Sequence, residues 1–501
     1  MPTSFRPSSR PLPAVVWLIA LLCPVFLLFP VAALLSEVPW SQFASILTEP
    51  ETIDALKISL WAGMQATLIA VILAVPLGAV IHAIPKGQWI VRLLVFLPLA
   101  LPPVVAGLAL TSATRALNLP LPFTFPAVVI AHAFVILPYA AIAIDTSLGS
   151  LKQSVLISAE SLGIPTTTIF RRIILPSITP GILSAAALSF ARSLGEFGTT
   201  VTFAGTYPGI TRTLTSSIYL ERELHPDRAF VLAALLIGIS LIFLVIALLP
   251  YALRCRPVPK PVRLEPMARQ RLNHLCLPSR CPEDLEVRWQ NQTYQFPAGK
   301  VTAVIGPNGC GKSTLAGLIA GALEGADVYA GTTELSDLPL RQRGVVIVPQ
   351  EQSLPPTTTP LEAVAMALLS KSNSVPKSAT AIHDCAQEIL VAAGLESISN
   401  TPVPSLSGGQ NAQATLARAL AVRPEVLVLD EPFAPLDSIS RQSWQRLITD
   451  GIGTRTVVLI THNATDVENM ADWVIVMKDG MLAKQGHPAT PAIRQHIDSL
   501  R

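Results

Sequence analysis

Gly306-Pro-Asn-Gly-Cys-Gly-Lys-Ser-Thr314 is the stretch on which the reading of this 501-residue chain turns. It follows Val301-Thr-Ala-Val-Ile305 directly, a β-branched run of the kind that forms a buried parallel strand. A loop of this composition between a strand and a helix matches the P-loop pattern G-x-x-x-x-G-K-[ST]. Its glycines let backbone N–H groups wrap phosphates at a helix N-terminus, where the dipole favours anions. Gly306, Pro307, Asn308, Gly309, Cys310, Gly311, Lys312, Ser313 and Thr314 are therefore the expected ATP-phosphate cradle. Within it Lys312 is placed to reach the outer phosphates and Ser313 to hold Mg2+.

Two further strands complete the picture. Val426-Leu-Val-Leu-Asp430 ends in Glu431, so Asp430 is suited to the magnesium shell and Glu431 to polarising an attacking water. Val457-Val-Leu-Ile460 ends in Thr461-His462, which adds His462 as a candidate catalytic residue. From about residue 284 onward the chain reads as a soluble α/β domain.

Upstream of that domain the composition is different. Half of the whole chain is apolar and 14% is charged, which points to a membrane protein or a chain with a membrane half. The net charge of +3 is too small to argue for nucleic acid. Cys23, Cys255, Cys276, Cys281, Cys310 and Cys385 have neither disulfide-framework nor zinc spacing. Apolar runs at 13–36, 58–82, 93–113, 125–144, 180–205 and 229–250 predict six membrane spans. Arg6 and Arg10 put the N-terminus in the cytoplasm, and Lys86, Arg92, Lys152, Arg171 and Arg172 mark further cytoplasmic loops. Arg212, Arg222 and Arg228 in the outer segment 206–228 run against that rule locally. The Pro-rich stretch with Arg254, Arg256, Lys260, Arg263, Arg269, Arg271 and Arg280 reads as a basic linker.

Leu406-Ser-Gly-Gly-Gln410, Leu416-Ala-Arg-Ala-Leu420, Leu429-Asp-Glu-Pro432, Leu436-Asp437, Val348-Pro-Gln350 and Thr461-His462 occur in that set alongside the P-loop. Together, over about 284–490, they resemble the nucleotide-binding domain of ATP-binding-cassette (ABC) transporters. The resemblance implies that ATP is sandwiched between the P-loop of one domain and Ser407, Gly408, Gly409 and Gln410 of another. A chain with one such domain is then expected to work as a homodimer. It also adds Asp437 to the ATP-contacting residues, and Gln350 to the catalytic and magnesium-holding ones. Two departures stand out. Gln410-Asn-Ala-Gln413-Ala lacks the family's arginine after the signature, read here as a missing surface arginine. The adenine-stacking aromatic is open between Trp289 and Tyr294, each of which could equally be a strand aromatic in the core.

Membrane spans before an ATPase is the order of many ABC exporters, but the loop 146–178 decides otherwise. Ile157-Ser-Ala-Glu-Ser-Leu-Gly163, then nine residues, then Ile173-Ile-Leu175-Pro176 resembles the EAA coupling loop of binding-protein-dependent importers. Gly163, Ile173, Leu175 and Pro176 match the pattern, while Ile157 and Ser158 depart from it. Such a loop is implied to dock in a groove of the ATPase. Ala191-Arg192-Ser-Leu-Gly195-Glu196-Phe-Gly198 and Leu99-Ala-Leu-Pro102-Pro103 further resemble the molybdate/tungstate permeases and their sulfate relatives. Arg192 and Glu196 sit one helical turn apart in a span, where a charge facing lipid costs about 2.5–3.5 kcal/mol on insertion scales. They are expected to face protein or a water-filled path, as a structural pair or with Arg192 meeting a passing oxyanion.

The expected organisation is a six-span permease at 1–253, a linker at 254–283 and an ABC ATPase at 284–501, with no further C-terminal domain. The expected setting is the lipid of the cytoplasmic membrane, with the ATPase inside and an extracytoplasmic substrate-binding protein outside. ATP-driven molybdate or tungstate import is the leading reading. Import of sulfate, thiamine or ferric iron, an exporter, and a non-transporting nucleotide sensor are the alternatives.

Overall fold

The computed structural model describes residues 14–84, 86–252, 265–278, 282–351, 353–370, 378–451 and 454–500. Arg6, Arg10, Arg254, Cys255, Arg256, Lys260, Arg263, Arg280 and Cys281, all named above, lie outside these residues. The chain divides into two compact units, residues 1–149 with 178–254, and residues 150–177 with 255–501.

The first unit is helical. Four unbroken helices are long and apolar enough to cross a membrane: Pro50–His82, Phe125–Gly149, Thr166–Leu194, whose first part belongs to the second unit, and Pro226–Ile246. The expected third span is not a single helix. Gln88–Ala100 and Pro103–Ala116 meet at 110°, forming a broken span or a re-entrant loop. Pro102 forces the break, because a residue before proline is driven out of the helical region, and Leu101 is extended at ψ 130°. The expected fifth span is also displaced. Its helix stops at Leu194 and a separate short helix, Gly198–Phe203, follows. The first apolar run forms the helix Ala14–Ser36, of which the described side chains cover Leu21–Ser36. Six uninterrupted spans are thus not what the described residues hold.

Packing in this unit follows from small residues. Ala62, Ala66, Ala70 and Ala74 recur at every fourth position on one helix face and are fully buried, against Ala127, Val128, Ala131 and Ile136 of the helix Phe125–Gly149. With no water to expel, helices in lipid gain from such close backbone approach. Leu68, Leu94, Leu108 and Ile242 are exposed, as side chains facing hydrocarbon are.

The second unit is α/β. Its main sheet runs Met481–Gly486, Trp473–Lys478, Val301–Ile305, Thr456–Ile460, Val426–Asp430, Val345–Val348 in space, parallel except for the first edge strand. Burial on both faces accounts for the unbroken β-branched runs. Register places Val304 and Asp430 both opposite Ile460, so the carboxyl ends of three strands open onto one edge. A second, antiparallel sheet orders Gln292–Phe296, Leu285–Trp289, Asp327–Ala330 and Thr333–Glu334.

The expected linker needs correction over its described part. Arg269–Leu275 is a helix whose Leu272, with Cys276, is buried in the ATPase core beside Ile389 and Leu447. Residues 265–278 are therefore structural parts of the second unit, and burial pushes the Cys276 thiol up to about 12.

Candidate nucleotide and coupling site

Each site residue owes its position to the strand ends. After Ile305 the chain turns at Gly306, where a Cβ would come within 2.3 Å of the Met477 carbonyl oxygen and φ is +154°. Only glycine tolerates that approach. Gly309 and Gly311 carry φ of +80° and +92°, and the helix Lys312–Ala320 starts at once. Asn308, Gly309, Gly311, Lys312, Ser313 and Thr314 line a cavity of about 530 Å3 with Gln350, Asp430, Glu431, Ile460 and His462. Pro307 is exposed beside it and Cys310 is buried beneath. The Lys312 ammonium donates to the Gly306 and Pro307 carbonyls at 2.8 and 2.9 Å, folded back on its own loop.

Across the cavity lies a carboxylate cluster. Burial raises the Asp430 pKa above the usual carboxylate range, Ser313 hydrogen-bonds it, and the Glu431 charge raises it further. Gln350 Nε2 donates to Glu431 Oε2 at 3.0 Å, and His462 Nδ1 lies 2.9 Å from Glu431 Oε1. Glu431 adopts φ +48°, a left-handed conformation costly for a non-glycine residue and typical of functional positions. Thr461, by donating to the buried Asp466 at 2.9 Å, fixes the turn that presents His462.

The signature residues are outside this cavity. Ser407 caps the helix Gly408–Ala421 in a reciprocal box with Gln410, leaving Gly408 exposed. Asp437 likewise caps Ser438–Asp450, accepting from the Ile439 and Ser440 amides and the Ser440 hydroxyl, chiefly Ser440, which holds its pKa down. Trp289 and Tyr294 separate clearly. Tyr294 is fully buried in the core, whereas the Trp289 ring lies 3.4 Å from where a Gly311 Cβ would stand. In the stretch that lacks the family's arginine, Asn411 and Gln413 are buried. Gln413 accepts from the Trp444 indole and donates to Ser440, both at 3.3 Å.

The segment Ser150–Ser177 belongs to the same unit as the ATPase. Val155, Ala159, Leu162, Ile164, Ile169 and Ile173 are buried in one cluster with Val346, Leu361 and Leu416. Gly163 has φ +73°, and a Cβ there would meet Ser370 Oγ at 2.4 Å. The Ser161 hydroxyl accepts from the Ile347 amide at 3.3 Å. Of the other pattern residues, Leu175 is exposed and Pro176 half-buried. Lys152 lines, with Gln350, Glu351, Gly408 and Glu431, a second cavity of about 620 Å3. The sequence reading missed Ser161 and Ser370, which carry no local signal beyond lying in or against the coupling loop, and took Lys152 only as a marker of a cytoplasmic loop.

In the first unit Arg192 pairs with Glu196 at 3.5 Å and lies near the Tyr139 ring. Glu196, almost fully buried, accepts from the Thr199 amide at 2.9 Å. Arg92 forms a two-pronged pair with Asp145, at 3.0 and 3.2 Å, which His82 joins at 3.0 Å.

Comparison with known proteins agrees with both halves. Residues 66–253 match the family model of binding-protein-dependent transport system inner membrane components, and residues 289–434 that of ABC transporters. The chain is 38% identical over 241 residues to the molybdenum transport system permease protein ModB of Mycobacterium tuberculosis, covering 46% of this chain and 91% of that protein. It is 34% identical over 196 residues to the sulfate/thiosulfate import ATP-binding protein CysA 2 of Agrobacterium fabrum, and 39% over 201 residues to CysA of Ralstonia nicotianae. Each match covers 38% of this chain, and 57% and 53% of those proteins. A dimeric ATP-binding cassette, MJ0796, bound to ADP and phosphate, covers 41% of this chain and is itself covered to 99%, at 26% identity and a TM-score of 0.37. The chain belongs to the ABC transporters of the importer class, joining a helical membrane permease to an ATPase that hydrolyses ATP to drive transport.

Proposed function

We propose that this chain imports an oxyanion, molybdate or tungstate, across the cytoplasmic membrane. The observation that carries the reading is the 38% identity extending over 91% of a molybdenum permease. Sulfate is the second reading, favoured by the likeness of the ATPase half to sulfate/thiosulfate import ATPases. The tests are uptake of radiolabelled molybdate by cells with and without the gene, and its competition by tungstate and by sulfate. Competition by tungstate alone supports the first reading, and uptake unchanged by the gene overturns it.

Two chains would assemble with the ATPases in the cytoplasm and a substrate-binding protein outside. The permease would span 1–253 and the ATPase would follow it, with residues 265–278 in its core. ATP would occupy the 530 Å3 cavity, with Trp289 rather than Tyr294 available to its base. The residues fit a phosphate: Lys312, which donates to loop carbonyls here, has donors that an anion would attract away. Ser313, Asp430 and Gln350 would hold Mg2+, which neutralises phosphate charge and offsets the burial of Asp430. Glu431, aligned by Gln350 and His462, would take the proton of the attacking water, and His462 would steady the terminal phosphate. The Ser407–Gln410 signature, with Gly408 exposed at its tip, would close on the partner's nucleotide, with Asp437 at the same junction. Arg192 and Glu196 would serve as a structural pair, in which Glu196 also accepts from the Thr199 amide in the first turn of the helix Gly198–Phe203.

A further inference from the structure

We propose that Arg418 is a positioning residue that ties the coupling segment to the loop carrying Gln350, and so passes nucleotide state to the membrane half. Arg418 sits near the C-terminal end of the helix Gly408–Ala421 and is 2% exposed. Its Nη2 donates to Ser158 Oγ at 2.7 Å and to Ser353 Oγ at 3.0 Å. Ser158 belongs to the coupling segment and Ser353 lies three residues beyond Gln350, and both hydroxyls are buried.

An arginine buried this deeply normally faces a carboxylate, because a buried charge without compensation is costly. Among the described residues no ion pair involves Arg418, and its Nε has no partner. Burial lowers its pKa to about 10, which leaves it protonated at neutral pH. The fold therefore keeps a charge that it could have replaced by an apolar side chain, and spends it on two hydroxyls from two different segments.

Those segments are the ones a transporter has to connect. The helix begins at the signature, where Ser407 caps it, and Arg418 lies eleven residues on, about 16 Å along a rigid rod. A displacement of Ser407 is delivered at Arg418, and from there to Ser158. The same nitrogen also holds Ser353, whose loop carries Gln350 to Glu431. Ile157 stands where the coupling pattern has an acidic residue, and it packs against the apolar core. The docking is thus made by buried apolar side chains and hydroxyls, with Arg418 as the buried charged tie and the exposed Arg341 donating to Thr166 at 3.0 Å. The inference rests on hydrolysis being coupled to transport, not on which solute is carried.

The test uses the purified full chain in lipid vesicles, with no transported solute. ATP hydrolysis is measured, together with the rate of trypsin cleavage at the exposed Lys152, Arg171 and Arg172. Cleavage is compared without nucleotide and with ATP plus vanadate. The wild-type segment should change its cleavage rate at least threefold on trapping. Ser158→Ala and Ser353→Ala each remove one acceptor; each should hydrolyse ATP within twofold of wild type yet lose that response. Arg418→Lys, whose ammonium can stand in for the one nitrogen that makes both bonds, should keep part of it. The proposal is overturned if both serine variants retain the full response, if response and hydrolysis fall in the same proportion, or if the wild-type segment ignores trapped nucleotide.

Discussion

Replacing Glu431 by Gln separates the chemistry of the site from its architecture. One carboxylate oxygen accepts from Gln350 at 3.0 Å and the other lies 2.9 Å from His462 Nδ1. A glutamine of the same length can turn its carbonyl to Gln350 and its amide nitrogen to His462, provided the imidazole presents a lone pair at Nδ1. Both contacts then survive, and only the charge and the basicity are lost. Losing the negative neighbour also removes one of the causes that hold the Asp430 pKa up. Folding should therefore be unharmed, with an unfolding midpoint within about 4 °C of wild type, the shift expected for roughly 1 kcal/mol in a domain of this size. A positioned general base contributes about 10²–10⁴ in rate, equivalent to about 2.7–5.4 kcal/mol of barrier. Hydrolysis measured as phosphate release should fall by that factor, while binding of fluorescent ATP persists. Hydrolysis within tenfold of wild type would refute the assignment of Glu431 as base. Loss of ATP binding would refute the claim that the contacts are preserved.

Trp289→Ala should weaken nucleotide binding about 5- to 150-fold, the 1–3 kcal/mol of a base–aromatic stack, and titration with fluorescent ATP measures it. Leu272→Ala should cost about 2–5 kcal/mol of ATPase stability by thermal unfolding, whereas a true linker residue would cost nothing. Asp437→Ala removes a helix cap worth about 1 kcal/mol at neutral pH. The Asp437 pKa is depressed on folding, so its stabilisation is present above the unfolded value near 3.9 and is lost as pH falls through the folded one. The gap in melting temperature between wild type and this variant should accordingly be full at pH 7 and close as the pH drops below about 3.9.

What the sequence disclosed well was whatever is written in contiguous residues. A P-loop needs its glycines at fixed offsets, because each turn of that backbone rests on a particular φ, and Gly306 through Thr314 supply them without tertiary help. The strand ends at Asp430 and Ile460 were legible for the same reason. The bend at Pro102 was not, because the hydropathy of 93–113 is continuous whether or not the helix is. Pro103 can open a helix as easily as interrupt one. Residues 269–276 looked like linker because their neighbours are basic and Pro-rich. Only the tertiary fold brings Leu272 against Leu447. The burial of Gln413 is not legible either, since a polar residue on a polar-looking helix gives no sign that the Trp444 indole donates to its oxygen. The docking of Ser150–Ser177 was anticipated from its resemblance to a coupling loop, but the serines that anchor it depart from that pattern or have no place in it.

The central claim is that ATP hydrolysis in the soluble half drives an oxyanion through the membrane half of the same polypeptide. The most direct measurement is molybdate uptake into vesicles that contain this chain as the sole membrane protein, supplied with its substrate-binding protein, with ATP hydrolysis followed in parallel. The account predicts uptake that needs ATP on the ATPase side, is competed by tungstate, and disappears in Glu431→Gln together with phosphate release. ATP hydrolysis with no accumulation of molybdate or sulfate, or uptake that proceeds undiminished without nucleotide, would contradict it.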